Sequence, residues 1–303
     1  MGRDPPERPG IRRPGGRSLQ ARRARARARR RRRLAALLGL AAAALAVLLV
    51  VPALGTDTRG ARIVRFTINS PLVHATVPVA AVVPAGASAG PRPLLVFLHG
   101  KGEDQNSNLD DAMFAALARL GSRAPDVVFP YGGPDSYWHD RADGAWGSFV
   151  VNEVIAQALS RLHADPKRVA IGGISMGGFG ALDIARLHRG RFCAVGGHSA
   201  ALWVSGGESA PGAFDDAQDF ARHDVIAAAR SGDPYPGAAV WIDVGSADPF
   251  RAADTTLAEM LRADGHAVQF HIWPGSHDQS YWQGHWSNYL QFYATALANC
   301  HHA

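Results

Sequence analysis

The 303-residue chain contains few cysteines, and the motifs of several large protein classes are missing from it. There is no Cys-x-x-Cys, no His-Glu-x-x-His and no other common metal-ligand spacing. Its 33 glycines form neither a P-loop nor a Gly-x-Gly-x-x-Gly sequence, which excludes the usual nucleotide-binding loops. The sequence therefore predicts neither a metal nor a cofactor. Two cysteines exclude a disulfide framework, but a single Cys193–Cys300 bridge and a buried free thiol at Cys193 both stay open.

The positive charge of the chain is confined to its first 33 residues. Residues 1–33 hold 14 arginines and only Asp4 and Glu7 as acids, which gives a net charge of +12, whereas the whole chain carries +6. Residues 34–303 are therefore mildly acidic at −6, and no nucleic-acid partner is expected for them. The arginine-rich stretch predicts a disordered cytoplasmic tail that contacts anionic lipid headgroups.

One long apolar run follows this tail directly. Residues 34–54 contain no charged residue, and as a helix of about 1.5 Å per residue they would span about 31 Å, the thickness of a bilayer's hydrocarbon core. Arginines on the N-terminal side predict that this side is cytoplasmic and that the rest lies outside. The length favours a transmembrane signal-anchor, because signal-peptide cores are shorter. Small residues at 51–53 keep a cleaved signal peptide and a secreted protein open.

Strand-like and helix-like patterns alternate through residues 61–303, after a short linker at 55–60. Strands are predicted at 64–68, 73–83, 94–98, 127–131, 168–174, 192–196, 238–244 and 267–273, and helices at 110–120, 149–163, 176–188, 254–263 and 281–298. This alternation predicts one α/β domain, with a mostly parallel sheet that helices cover on both faces. Residues 200–235 interrupt the rhythm, and we expect them to form part of a lid.

The most informative motif is Gly-Ile-Ser-Met-Gly at residues 173–177, between a predicted strand and a predicted helix. In this context Gly-x-Ser-x-Gly forms a tight, strained turn that exposes the serine hydroxyl, and the flanking positions have no room for a side chain. The pattern predicts Ser175 as a nucleophile. Such a serine needs a histidine as base and a carboxylate that orients the histidine.

Asp248 and His277 follow two later predicted strands, in loops at the strand ends. Ligands bind at the carboxyl ends of strands in open parallel sheets, and the chain order Ser175, Asp248, His277 is the order that this kind of fold uses. Asp243 is the competing acid, but it lies within its strand. His198 also ends a strand, but it precedes the acid. We therefore predict Asp248 as the acid and His277 as the base.

The loop after the strand at 94–98 reads His-Gly-Lys-Gly. Its backbone N–H groups can point into a cleft, and together with the amide after the nucleophile they predict an oxyanion hole formed by Lys101 and Met176. Further candidates for substrate binding lie in or beside loops of the same face: His99, Trp138, Trp203 and Trp282.

These motifs together resemble a known family. Residues 172–182, with His99-Gly100 upstream and residues 274–282 downstream, are similar to the esterase branch of the α/β-hydrolases. That branch includes S-formylglutathione hydrolases, feruloyl and acetylxylan esterases, and mycobacterial mycolyltransferases. The resemblance covers roughly residues 61–298. It implies the α/β-hydrolase fold, the same three catalytic residues and no cofactor.

The resemblance leaves three functions open. The first is a serine hydrolase that cleaves carboxylic esters, with lipid and carbohydrate esters as candidate substrates, on the outer side of the membrane. The second is an acyltransferase of the mycolyltransferase type, which would move acyl groups between envelope lipids or sugars. The third is a catalytically inactive binding protein on the same fold. The predicted anchor disfavours a glutathione-adduct substrate, and the sequence does not predict the oligomeric state.

Overall fold

The computed structural model describes residues 56–86 and 90–300. The predicted tail at 1–33 and the predicted transmembrane segment at 34–54 lie outside the described residues. Among the helices of the described residues, none combines the length and the apolar character that crossing a membrane requires.

An eight-stranded sheet forms the centre of this part of the chain, in the order β1-β2-β4-β3-β7-β8-β9-β10. Its strands are β1 (Arg62–Ser70), β2 (Ala75–Val83), β3 (Leu94–Leu98), β4 (Asp126–Pro130), β7 (Val169–Ile174), β8 (Ala194–His198), β9 (Ala239–Gly245) and β10 (Val268–Trp273), and the short β5 (Asp140–Arg141) and β6 (Gly144–Ala145) form a separate pair. Strand β2 is antiparallel to both of its neighbours, whereas the pairs from β4 to β10 are parallel. The predicted mostly parallel sheet is confirmed.

Eight α-helices belong to the described residues. They are α1 (Asp111–Arg119), α2 (Trp146–Phe149), α3 (Ile155–Leu162), α4 (Met176–Leu187), α5 (Ala217–Arg222), α6 (Val225–Arg230), α7 (Arg251–Ala263) and α8 (Gln279–Ala298). A π-helical turn at Val150–Val154 joins α2 to α3, where the sequence predicted one continuous α-helix. Both terminal valines of this turn are buried, so the wider turn keeps them on the core side.

Helices cover both faces of the sheet and create two hydrophobic cores. On one face, Phe114 of α1 and Trp286 of α8 are buried against the sheet. On the other face, Ile155, Leu182 and Leu257 from α3, α4 and α7 are buried. Strand β3 is buried along its whole length, as expected for a parallel strand between two helical layers. This sandwich fixes the strand ends from which the candidate site projects.

Residues 200–235 fold into short helices packed on the domain. Helices α5 and α6 lie in this segment, and each begins at an aspartate that caps it. Asp216 accepts a hydrogen bond from the amide of Asp219 at 2.7 Å, and Asp224 accepts one from Ala227 at 2.8 Å. At the end of the segment, the hydroxyl of Tyr235 donates to the carbonyl of Leu182 in α4 at 3.2 Å. The segment is thus an ordered insertion held against α4.

The two cysteines form a disulfide bond, which is one of the two alternatives that the sequence left open. Cys193 immediately precedes β8, Cys300 follows α8, and their Cα atoms are 5.4 Å apart. The bond joins residues that are 107 positions apart. Closing a loop of this size restricts the unfolded chain, which in the chain-entropy account stabilises the fold by about 4–5 kcal/mol.

The buried carboxyl group of Asp126 predicts a pH-dependent stability. It begins β4 at 2 % exposure, with Arg92 Nε 4.0 Å away. Burial raises the pKa of Asp126 from 3.8 to about 6 despite the Arg92 charge. Between these values the folded protein binds more protons than the unfolded chain, so the free energy of unfolding falls as the pH rises through this window.

Asp126→Asn is expected to remove this loss. The variant should match the wild type below about pH 4 and exceed its free energy of unfolding by about 2–3 kcal/mol above about pH 7. Urea unfolding at the two pH values measures the difference. Asp264→Asn, which changes an exposed carboxylate, is the control. A wild type more stable than Asp126→Asn at the higher pH would contradict the prediction.

Candidate active site

Ser175 occupies a sharp turn between β7 and α4. Its φ of 55° and ψ of −115° lie outside the regions that side-chain-bearing residues favour, a conformation that typically costs about 1–3 kcal/mol. The flanking glycines are required by space. A Cβ at Gly173 would lie 2.5 Å from the Gly177 carbonyl carbon, and one at Gly177 would lie 2.1 Å from the Leu98 carbonyl oxygen. The structure therefore shows the strained turn that the sequence predicts at Ser175.

The structure brings Ser175, His277 and Asp248 together. The Nε2 atom of His277 is 2.8 Å from Ser175 Oγ, and its Nδ1 atom is 2.9 Å from Asp248 Oδ2. Since the carboxylate accepts from Nδ1–H, Nε2 is free to accept the serine proton. The Asp248 side chain is fully buried, and that of His277 is 23 % exposed. Three loops at the carboxyl ends of β7, β9 and β10 supply the three residues.

Aromatic rings hold the imidazole of His277 in place. Phe250 and Trp282 each lie with their ring centroid 5.1 Å from that of His277, at interplanar angles of 62° and 86°. Trp282 is 6 % exposed, so its contact is with the histidine more than with solvent. The sequence analysis proposed Trp282 for substrate binding, whereas the structure places it as a support for His277. It did not identify Phe250.

The competing acid Asp243 has partners elsewhere. Its carboxylate is fully buried and contacts His198 Nδ1 at 2.6 Å, Trp241 Nε1 at 2.7 Å, and the hydroxyls of Tyr281 and Tyr289 at 2.9 Å each. These donors use both carboxylate oxygens. Asp243 and His198 therefore form a buried polar network under the site, as the position of Asp243 within its strand predicted.

A second buried carboxyl group, Asp254, lies near Asp248. Burial and the nearby charges of Asp248 and Asp243 raise the pKa of Asp254 well above its usual range. Burial and the two neighbouring carboxylates thus both favour the protonated form of this carboxyl group. Sequence reasoning missed this residue, because its position in α7 gives no sign that its side chain is buried.

The loop after β3 lies beside Ser175, as an oxyanion hole requires. A Cβ at Gly100 would be 3.6 Å from Ser175 Cβ. The amide of Gly100 donates to Glu103 Oε2 at 2.8 Å, and that of Gly102 donates to the Pro134 carbonyl at 2.7 Å. The Lys101 amide lies between these two in the loop, and Met176 takes the first position of α4, where backbone amides have no partner within the helix. The pair of Lys101 and Met176 as oxyanion donors stays a prediction.

Glu103 links this loop to the segment that carries His277. Its Oε2 atom accepts from Gly100, and its Oε1 atom accepts from the side-chain amide of Gln279, two residues after His277. Burial raises the pKa of Glu103 above its usual value. Sequence reasoning missed this link, although the spacing of Glu103 three residues after Gly100 is a visible turn signal.

Glu103→Ala is expected to lower kcat for ester hydrolysis by about 10- to 100-fold, with a smaller change in KM. Without the hydrogen bond from Gly100 to Glu103 the loop after β3 can shift, and a misplaced Lys101 amide would bind the transition state more weakly. Steady-state kinetics with p-nitrophenyl acetate measures the effect. Glu103→Gln, which keeps an acceptor for Gly100, should lose less, and the exposed Glu259→Ala should match the wild type. An unchanged kcat in Glu103→Ala would refute the role of the link.

Two predicted substrate-binding residues are buried behind the site. Trp138 is fully buried, and its Nε1 donates to the His99 carbonyl at 3.1 Å. His99 is 2 % exposed, its Nδ1 lies 2.8 Å from the Gly100 carbonyl, and its Nε2 accepts from the Gly132 amide at 3.0 Å. Neither side chain offers free surface to a ligand, so these two predictions are wrong, and both residues instead shape the loop after β3.

Trp203 belongs to a group of three aromatic residues beside His277. We call Tyr137, Trp203 and Phe250 together the aromatic wall. The Trp203 ring centroid is 5.7 Å from those of both Tyr137 and Phe250. Lys101 Nζ lies 5.8 Å from the Tyr137 ring centroid. Trp203 is half-buried, so of the four predicted substrate-binding residues it is the one that has both an exposed surface and a position near the site.

The fold matches solved α/β-hydrolase-type esterases. A ferulic acid esterase superimposes with a TM-score of 0.68 at 20% identity, over 78% of this chain and 98% of that one. An S-formylglutathione hydrolase from Agrobacterium tumefaciens gives 0.65 at 20% identity, over 78% and 96%. At these identities the likeness shows a shared fold.

Sequence comparison gives the family. The chain belongs to the family described as "Putative esterase", which matches residues 70–292. "Esterase Rv1288" of Mycobacterium tuberculosis (strain ATCC 25618 / H37Rv) is 29% identical over 115 residues, which are 35% of this chain and 25% of that protein. The chain thus spans about a quarter of this curated relative. The predicted resemblance to an esterase family is confirmed.

Proposed function

We propose that the protein hydrolyses carboxylic esters through an acyl-enzyme on Ser175. One observation carries the proposal: Ser175, His277 and Asp248 form a continuous hydrogen-bonded chain, with distances of 2.8 and 2.9 Å, at the strand ends of a member of an esterase family. An intact chain of this kind disfavours the catalytically inactive alternative. The family relationship alone does not identify which residues react.

Acylation begins when Ser175 Oγ attacks the carbonyl carbon of the ester. Its proton passes to His277 Nε2, and the buried Asp248 stabilises the imidazolium that results. The tetrahedral oxyanion accepts hydrogen bonds from the amides of Lys101 and Met176, and in comparable sites the removal of one such donor costs about 3 kcal/mol. The intermediate then expels the alcohol, which takes the proton from His277.

Deacylation repeats these steps with a second acceptor. His277 removes a proton from a water molecule, whose oxygen attacks the acyl carbon, and the collapse of the second intermediate releases the acid and returns the proton to Ser175. If a sugar or lipid hydroxyl takes the place of water, the same residues catalyse acyl transfer. Trp203 of the aromatic wall supports this as the second candidate function, because its half-buried ring offers an apolar surface to an acceptor.

We also propose that the catalytic part lies outside the cytoplasm, tethered through residues 34–54 to the membrane. The uncharged run at 34–54 and the arginines before it support this proposal. Fractionation of cells that express the 303-residue chain tests it. Protein in the membrane fraction that external protease digests is expected, and protein found only in the medium would contradict the tether.

An acceptor-competition assay tests the proposed reaction. The purified chain in mild detergent is given p-nitrophenyl esters of short and long acyl groups, with and without glycerol or a disaccharide as acceptor. Hydrolysis predicts free acid as the product with or without acceptor, whereas transfer predicts an acylated acceptor at the expense of free acid. Absence of p-nitrophenol release from every ester, together with no labelling by a fluorophosphonate, would contradict both functions.

A further inference from the structure

Three buried side chains outside the proposed active site converge on one point. They are His139, Asp219 and His223, and their ligand atoms all lie within 4.8 Å of one another. The Nε2 atom of His139 is 3.0 Å from Asp219 Oδ2, and that of His223 is 3.7 Å from Asp219 Oδ1. Two imidazoles and a carboxylate with this spacing are a common donor set for a divalent transition metal.

The three residues come from two distant parts of the chain. His139 lies in the loop before β5, whereas Asp219 and His223 lie four positions apart, in and just after α5. This i, i+4 spacing puts the second pair on one side of the helix. Sequence analysis predicted no metal, because the third donor is 80 residues away from Asp219 and the pattern matches no standard motif.

The outer contact of His223 fixes its orientation. Its Nδ1 atom is 2.7 Å from Asp183 Oδ2 in α4, so Nδ1 carries the hydrogen and donates it. The Nε2 atom then faces Asp219 Oδ1 at 3.7 Å, and a proton or a metal ion between these two atoms would satisfy both of them. A carboxylate behind a histidine is the usual outer partner of a metal-bound imidazole.

The remaining contacts of Asp219 are compatible with a metal. Asp219 Oδ2 accepts from the Asp215 amide at 2.9 Å, and Oδ1 lies 3.0 Å from Arg222 Nη2. The Arg222 side chain is 55% exposed, so it can turn away into solvent. A carboxylate also has lone pairs for both a metal and a donor.

We propose that Zn²⁺ binds between His139, Asp219 and His223, with water as the fourth ligand. The ion would tie the insertion at 200–235 to the loop that carries His139 and, through Asp183, to α4. Phe214 of the insertion packs against His139, with ring centroids 5.2 Å apart, and against Tyr137 of the aromatic wall. The ion would fix this side of the wall, and the site does not depend on the proposed esterase reaction.

Zinc retention tests this proposal. The 303-residue chain, in a His301→Ala/His302→Ala background that removes two adjacent terminal histidines, is equilibrated with ZnCl₂, freed of excess metal and analysed by mass spectrometry of the elements. We expect about one zinc per chain in this background and in the control His188→Ala. We expect a loss of at least tenfold in His139→Ala and His223→Ala. Free zinc at about 100-fold above Kd should raise Tm by about 5–10 °C where the site is intact.

A second measurement covers variants that fail to fold. Co²⁺ added to the background protein should give the visible absorption of a four-coordinate nitrogen and oxygen site, which Zn²⁺ then displaces. Absence of retained zinc and of this absorption in the background protein would overturn the proposal. The proposal would also be overturned if His139→Ala and His223→Ala fold and retain as much zinc as the background protein.

Discussion

Ser175→Ala is expected to lower kcat for p-nitrophenyl ester hydrolysis by about 10⁵- to 10⁶-fold, because no other atom in the site can form the acyl-enzyme. KM should change little, since the truncated hydroxyl contributes to the transition state more than to substrate binding. The turn at Ser175 should persist, because Gly173 and Gly177 still allow the close approach to the Leu98 carbonyl. Steady-state kinetics with circular dichroism of the folded variant measures the effect.

Ser199→Ala is the matched control. Ser199 lies just after β8, is buried more completely than Ser175 and also has a positive φ, of 47°. Its hydroxyl has no hydrogen-bond partner among the described residues. Its kcat should stay within about threefold of the wild type, the range of a small local adjustment. Activity of Ser175→Ala at the level of this control would remove Ser175 from the mechanism.

The second large effect is expected at Asp248. Asp248→Asn should lower kcat by about 10³- to 10⁴-fold, because an amide can donate to Nδ1 and stabilise the tautomer whose Nε2 carries a hydrogen and cannot accept the serine proton. The fold should survive, since the amide has the shape of the carboxylate. Steady-state kinetics gives kcat and urea unfolding gives the free energy of unfolding. Measuring both on one preparation separates an effect on catalysis from an effect on stability.

Asp243→Asn should show the opposite pattern. The change removes the charge that holds His198, Trp241 and two tyrosines, so we expect the free energy of unfolding to fall by about 3–5 kcal/mol. The kcat of the folded fraction should stay within about tenfold of the wild type. A loss of kcat in Asp243→Asn with Asp248→Asn nearly active would show that the acid has been assigned to the wrong residue.

The positions of the three site residues were predictable because they depend on local patterns. Each residue follows an apolar strand, and parallel strands bring their carboxyl ends to one edge of a sheet. The choice of Asp248 over Asp243 rested on the same geometry, since a residue within a buried strand points at the layers and not at the edge. The structure places both side chains as this argument predicts.

The burial of Trp138 was not predictable from its neighbours in sequence. The indole fills space left by two distant glycines: a Cβ at Gly132 would be 2.3 Å from Trp138 Cη2, and one at Gly180 would be 2.3 Å from Trp138 Cβ. A tryptophan in a loop is expected to be exposed unless the fold leaves space for its indole, and the sequence around Trp138 does not reveal that space. The same limit explains why His99 was taken for a ligand-binding residue.

Contacts between distant segments account for the other differences. Glu103 and Gln279 are 176 positions apart, and Cys193 and Cys300 are 107 apart, so no local pattern pairs them. The caps of α5 and α6 are a different case. Asp216 and Asp224 each precede a helical stretch, a capping signal that the sequence analysis did not use, so neither helix was predicted.

Mass spectrometry of a trapped acyl-enzyme analogue tests the central claim most directly. The 303-residue chain is treated with a fluorophosphonate, and its intact mass and peptides are measured. We expect one adduct per chain, located on Ser175, absent from Ser175→Ala and formed much more slowly by Asp248→Asn. An adduct on another residue, or equal labelling of Ser175→Ala, would contradict the assignment of Ser175 as the nucleophile.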